Sequence, residues 1–294
     1  MYEPVAGMST RNGVTSLIAG VTHSMRIAVL LLTVLVLSWN CLGARAAVAG
    51  EVPTKPGVVK WHPGHYYTPM AFMRTNPSIM AQVYAELKAT PALRGLQIRF
   101  PWPELEPEEG RYDFKGIEQI LTELVPLNKH LVILLELKSF NPKTLPVPAY
   151  MRTEAYEGGA FPFSTYGQSA TRGYNLKLWN SGVHDRLVAL VAELGKRFNS
   201  HANFEGIGLT ETALGQPIES VSSHDTEKYY DNLLDVQRHM RAAFPNTMTY
   251  QFVNYPREML AGFVDHMRTI GTGLGGPDIF LDDPGLNSDH PNKP

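Results

Sequence analysis

Glu211 stands where a short apolar run, Gly206 to Leu209, gives way to Thr210 and then to small residues as far as Gly215. A carboxyl group at the end of a buried strand is held without loop slack. It is either a chance solvent-exposed end or a proton donor placed over a pocket, and capping or ion pairing is the plainer reading. Arg99 is a second such group, a charge at the carboxyl end of the apolar run "GLQIRF". A guanidinium there either forms a structural ion pair or keeps a neighbouring carboxylate ionised. Glu136 closes a third run, "HLVILLEL", and Asp278, Asp282 and Asp283 cluster near the end of the sequence.

Aromatic side chains surround these positions. Trp61, His62, His65, Tyr66 and Tyr67 lie together in "WHPGHYY", and Phe161, Phe163, Tyr166, Tyr174 and Trp179 lie in a long irregular stretch. Sugar rings have apolar C–H faces that stack on aromatic planes. Trp61 and Trp102 are the expected platforms, because each follows the end of an apolar run; loop packing is the alternative for any single aromatic. His62 and His65 flank Pro63-Gly64, a turn and not a helix face, and no HExxH accompanies them. They read as polar pocket lining, and no metal and no cofactor is expected.

Strands must carry these groups to one place, and the chain supplies them in alternation with helices. Short apolar runs are expected as strands at 57–61, 95–100, 130–137, 204–210 and 247–253, with a sixth beginning in 271–280. Helical periodicity covers 78–90, 113–128 (Asp113 as N-cap), 181–201, 223–244 and 257–270. Leu187, Leu190, Val191 and Leu194 form an apolar stripe that is core. Strands alternating with helices of this length predict a parallel α/β sheet. No GxGxxG, GxxxxGK[ST] or GxSxG occurs, so a (β/α)8 barrel of TIM type fits better than a dinucleotide fold. Six βα units are counted where a closed barrel has eight. The expectation is therefore an incomplete barrel over 50–294, with exposed strand edges and poor solubility unless something closes the ring.

The stretch Leu96 to Leu121 is the most specific. Arg99, Trp102, Glu106-Pro107, Gly110, Tyr112 and Phe114 have the spacing R-x-x-W-x-x-x-E-P-x-x-G-x-Y-x-F. This resembles the segment after strand two in clan A glycoside hydrolases, barrels of the beta-galactosidase and cellulase type. Most of these residues shape a turn and seat a helix, so the motif speaks to fold more than to activity. The resemblance implies that Arg99 supports a nucleophilic carboxylate. It also implies that Glu211, ending the fourth strand, is the general acid/base of a retaining two-carboxylate mechanism. In that family an asparagine precedes the acid/base and holds the sugar 2-hydroxyl; Thr210 stands there instead. The family's nucleophile ends strand seven, and none of Glu136, Asp278, Asp282 and Asp283 matches that place. The function expected is hydrolysis of O-glycosidic bonds in an oligo- or polysaccharide. The alternative is a non-catalytic carbohydrate-binding or inactive barrel. Expected sugar contacts are Arg99, Trp61, His65, Trp102, Glu136, Thr210 and Trp179.

Of 294 residues, 44% are hydrophobic and 18% charged, and the net charge of -2 comes with no basic block. Nothing there points to a nucleic acid, and charge names no partner; a carbohydrate is the partner that the resemblance implies. Arg26 precedes thirteen apolar or small residues, Ile27 to Trp39, followed by Ala-x-Ala at 44–46 and 47–49. That is the form of a secretory signal, too short for a membrane span, with residues 1–24 as an upstream extension. Export to a bacterial periplasm or medium is expected, with cleavage leaving no stable membrane insertion and an uncleaved anchor as the alternative. The sole cysteine, Cys41, lies inside the signal, so the mature chain has no disulfide.

Overall fold

A computed structural model describes residues 58–165 and 168–277. The signal-like run, Cys41, Tyr166, Asp278, Asp282 and Asp283 lie outside the described residues. Six strands form one parallel sheet in chain order: β1 (His65–Tyr67), β2 (Leu93–Pro101), β3 (His130–Glu136), β7 (Phe204–Leu209), β9 (Met248–Phe252) and β10 (Gly273–Gly275). Helices fill the crossovers: α1 (Pro77–Ala89), α2 (Lys115–Leu124), α3 (Ser181–Phe198), α4 (Ser223–Ala243) and α5 (Leu260–Ile270). The expected α/β class is therefore present as a curled half-barrel: among the described residues, six parallel strands with five helices between them, so five of the six expected βα units are complete.

Local chemistry starts the helices. Asn76 accepts hydrogen bonds from the Ser78 and Ile79 amides, and Pro77 supplies a preset φ at the first helical position of α1. Asn180 caps α3, and Ser222 caps α4. Asp113 does not cap α2: Phe114 holds the cap position, and Asp113 instead accepts from the Lys115 amide at 3.0 Å. α5 stops at Gly271, whose φ of 71° a glycine adopts without strain.

The first strand is displaced from its expected place. Residues 58–61 are not a strand; Val58 and Val59 are exposed, so their apolar pattern buries nothing. The sheet begins at His65–Tyr67, where Tyr67 packs on the core under the helices and Tyr66 on the opposite, inner face. The long stretch 138–179 is not wholly irregular. It supplies three strands of a second sheet, antiparallel in order β4 (Lys138–Ser139), β6 (Gly173–Leu176), β5 (Ala160–Ser164), β8 (Gln216–Pro217). Because β4 follows the end of β3 and β8 follows the end of β7, this small sheet grows from the carboxyl end of the barrel sheet.

Alternation sorts the side chains. Leu96, Ile98 and Phe100 of β2, Leu131, Ile133 and Leu135 of β3, and Phe204, Ile207 and Leu209 of β7 pack against the helices. The inner face carries Val132, Leu134 and Tyr250, with Tyr66, Met248 and Phe252 beside them. Gly206 and Gly208 of β7 make room there. A Cβ on Gly208 would lie 2.3 Å from the Tyr250 ring, and one on Gly206 2.8 Å from Met248 Cε. Gly208→Ala is expected to destabilise the fold by about 1–3 kcal/mol through this overpacking, read as a lower midpoint in urea at unchanged slope.

Candidate active site at the carboxyl rim

Glu136 is the last residue of β3 and pairs in register with Pro101, the last of β2. Arg99 lies two places earlier on β2, on the same inner face by strand alternation. Glu211 follows the end of β7, with its side chain only 7% exposed. Three adjacent strands therefore bring Arg99, Glu136 and Glu211 to one end of the sheet. This is the end at which (β/α)8 proteins carry their sites.

Lys138 joins them. Its side chain is 4% exposed, with Nζ 3.5 Å from Glu211 Oε1. The ammonium donates to the Ala213 carbonyl at 2.9 Å and lies 4.5 Å from the Phe163 ring centre and 5.0 Å from that of Phe140. Burial pushes its pKa down, and the Glu211 charge opposes that shift. Asn254 fixes the segment beyond Glu211, its Oδ1 accepting from the amides of Ala213 at 3.1 Å and Tyr255 at 2.9 Å.

Burial raises the Glu136 pKa above the ordinary carboxylate value; the Arg99 charge opposes this, Glu211 reinforces it, and Arg74 opposes it. The folded state then binds this proton more tightly than the unfolded chain. Its contribution favours folding below the unfolded value and is lost as pH rises through the higher folded value. Glu136→Gln removes the ionising group. Its stability relative to the native chain is expected to improve as pH climbs through that window, measured by urea melts at several pH values. Glu136 also lines a cleft of about 420 Å3 together with Pro101, Glu104, Ser139, Lys143 and Arg152.

Other expected contacts lie elsewhere. Trp61 is 67% exposed, but with His62 it lines a cleft beside Leu93, Arg94 and His130, at the amino ends of β2 and β3. His65 pairs with Leu93 at that same end. The sequence puts strand one at 57–61 and so these residues at the rim; since β1 is 65–67, they precede or open it. Trp102 is fully buried and is no platform: its Nε1 donates to Glu106 Oε2 at 2.9 Å. Glu106 also accepts from the Gly110 amide at 2.9 Å and pairs with Arg186 of α3. The W-x-x-x-E-P-x-x-G spacing is thus a buckle that fastens the rim turn to a helix. Thr210 is buried and turned into the sheet, where its Oγ1 accepts from the Leu137 amide at 3.3 Å. Trp179 packs on Phe161 at 5.2 Å, and its Nε1 donates to Glu157 at 3.2 Å.

Sequence reasoning passed over Lys138, Arg74 and Asn254. Lys138 carried one available signal, a cation two residues past Glu136 at the end of an apolar strand. Arg74 donates to Glu104 at 2.7 Å and stacks 4.4 Å from the Phe100 ring centre, and nothing local announces it.

The parallel half-barrel, with charged groups gathered at its carboxyl rim, has the fold of an incomplete (β/α)8 barrel. Among solved structures it is similar to the catalytic domain of a beta-amylase from Paenibacillus polymyxa, with a TM-score of 0.50 and 11% identity over 74% of this chain and 76% of that one. Lower on the scale are endo-glycoceramidase II from Rhodococcus sp. (TM-score 0.46, 11% identity, 67% of this chain and 51% of that one) and a beta-galactosidase from Rahnella sp. R3 (0.43, 14%, 69% and 36%). The chain thus spans about a third of the length of the Rahnella enzyme. No family model and no curated protein matches the sequence.

Proposed function

We propose that the carboxyl rim binds a carbohydrate and that Glu211 is the general acid/base in retaining hydrolysis of an O-glycosidic bond of an oligo- or polysaccharide. The observation that carries this is the convergence of Glu211, Glu136, Arg99 and Lys138, from neighbouring strand ends, into a largely desolvated rim. Desolvation and paired cations are what a site needs to move a proton and hold a developing charge. In this reading Glu211 protonates the leaving oxygen as a second carboxylate, held ionised by Arg99, bonds to the anomeric carbon; Glu211 then takes a proton from the water that displaces that carboxylate, and Lys138 sets the side chain of Glu211. Phe140 and Tyr255, both exposed near the rim, offer planes for sugar faces. The test is turnover of a panel of aryl glycosides by the chain and by Glu211→Gln, with oligosaccharide binding followed in parallel. Turnover abolished in the variant, with binding retained, supports the proposal.

A second reading has its own support. Lys138 already engages Glu211, and Thr210 offers no side chain to a sugar. A barrel that binds carbohydrate without hydrolysis would show equal binding and no turnover in both proteins. We also propose export from the cell, on the strength of the run Ile27–Trp39 and its Ala-x-Ala sites. A secreted product beginning at residue 47 or 50, found by mass spectrometry, would support it; one retaining residue 27 would oppose it.

A further inference from the structure

We propose that His62, His130 and Glu205 form a binding site for one divalent transition-metal ion of the zinc type, at the amino end of the barrel sheet. This is the end away from the rim, and the inference stands apart from the proposed hydrolysis. The donor atoms of the three side chains all lie within 4.8 Å of one another.

The backbone aims Glu205 at this place. Leu131 pairs with Phe204 and Val132 with Gly206, so Glu205 is an extra residue in the β3–β7 ladder. Such an irregularity re-aims a side chain. The Glu205 carboxylate is buried, 4% exposed, yet no Lys or Arg pairs with it within the described residues. It accepts instead from the His62 amide at 2.6 Å and lies 2.8 Å from His62 Nδ1. His130, the first residue of β3, has its Nδ1 3.9 Å from the same carboxylate oxygen. That nitrogen is buried without a hydrogen-bond partner, and the residue as a whole is 9% exposed. A buried ring nitrogen left unpaired beside a carboxylate can serve as a metal ligand.

The spacing suits a small ion. Zinc–nitrogen and zinc–oxygen distances of about 2.0–2.1 Å at a tetrahedral angle put neighbouring donor atoms about 3.3 Å apart. The separations of 2.8 and 3.9 Å from Glu205 bracket that value. The two imidazole rings are stacked, with centres 3.9 Å apart, so one must turn for both to face a shared ion. His62 is the one free to do so: its side chain is 46% exposed, on a segment outside any helix or strand. The cleft of about 340 Å3 beside His62 and His130 leaves room for a water in the fourth position. Two imidazoles and one carboxylate select a transition ion over calcium or magnesium, which prefer all-oxygen shells. An ion here would tie the segment before β1 to the starts of β3 and β7.

The test uses the full chain, freed of metal with a chelator. Zinc is titrated in competition with a chromophoric chelator, and cobalt(II) is added separately for its visible spectrum. One equivalent of zinc is expected, with a tetrahedral cobalt spectrum and a rise in Tm of about 5 °C at zinc near a hundred times Kd. His62→Ala, made at a side chain 46% exposed and checked by circular dichroism for a native fold, should weaken binding at least tenfold and abolish the cobalt spectrum. Glu205→Gln should do the same if it folds. Absence of stoichiometric zinc binding at micromolar levels, or His62→Ala binding like the native chain, overturns the proposal.

Discussion

Glu211→Gln is expected to lower kcat on aryl glycosides by about 10²–10⁴-fold, the usual worth of a general acid/base. A thousandfold loss corresponds to about 4 kcal/mol of transition-state stabilisation. The substitution keeps the size of the side chain and an oxygen for the Lys138 ammonium, now 3.5 Å away, so the rim should keep its shape. The decisive feature is the dependence on the leaving group. A poor leaving group such as methyl needs a proton as its bond breaks, and an acidic phenol does not. The loss in the bond-breaking step should therefore be greatest for poor leaving groups and shrink towards acidic phenols. A uniform loss across the series would mean that the variant had disturbed binding or folding and that Glu211 donates no proton.

Glu106→Ala should destabilise the fold by about 3–5 kcal/mol, because removing one partner of a buried ion pair leaves the other charge uncompensated. Three groups lose their acceptor together: the Trp102 indole, the Gly110 amide and the Arg186 guanidinium. Glu106 itself is wholly buried and Arg186 is 19% exposed, so solvent screens the pair little. Glu106→Gln keeps an acceptor for one of the three and should fall between the alanine variant and the native chain. Urea unfolding with matched slopes is the measurement. A loss under about 1 kcal/mol in the alanine variant would show that the turn is held by its packing and not by the carboxylate.

The motif around Glu106 shows how far a sequence can be read. Its spacing was legible because every member lies within sixteen residues, Arg99 to Phe114, and the contacts are local: Trp102 to Glu106, Glu106 to Gly110. Its outcome for Trp102 was not, since whether an indole faces a pocket or a core depends on the apolar side chains from other elements that pack in the same core. Strand one failed for a related reason. Both "GVVKW" and "HYY" have strand-forming residues, and only pairing with β2 decides which is taken. That choice moved Trp61, His62 and His65 from one end of the sheet to the other.

The amino-acid order by itself determined the alternation of strands and helices, the two-faced burial of β3, and the carboxylates at strand ends, because periodicity and apolar run length are properties of neighbouring residues. Only the tertiary structure decided which side chains meet. Lys138 reaches Glu211 and Ala213 across the gap between two strands. His62 reaches Glu205 from 143 residues away, and an extra residue in one ladder turns that carboxylate inward. Sheet register and the direction of a strand's last side chain depend on the partner strand, and no local pattern contains the partner.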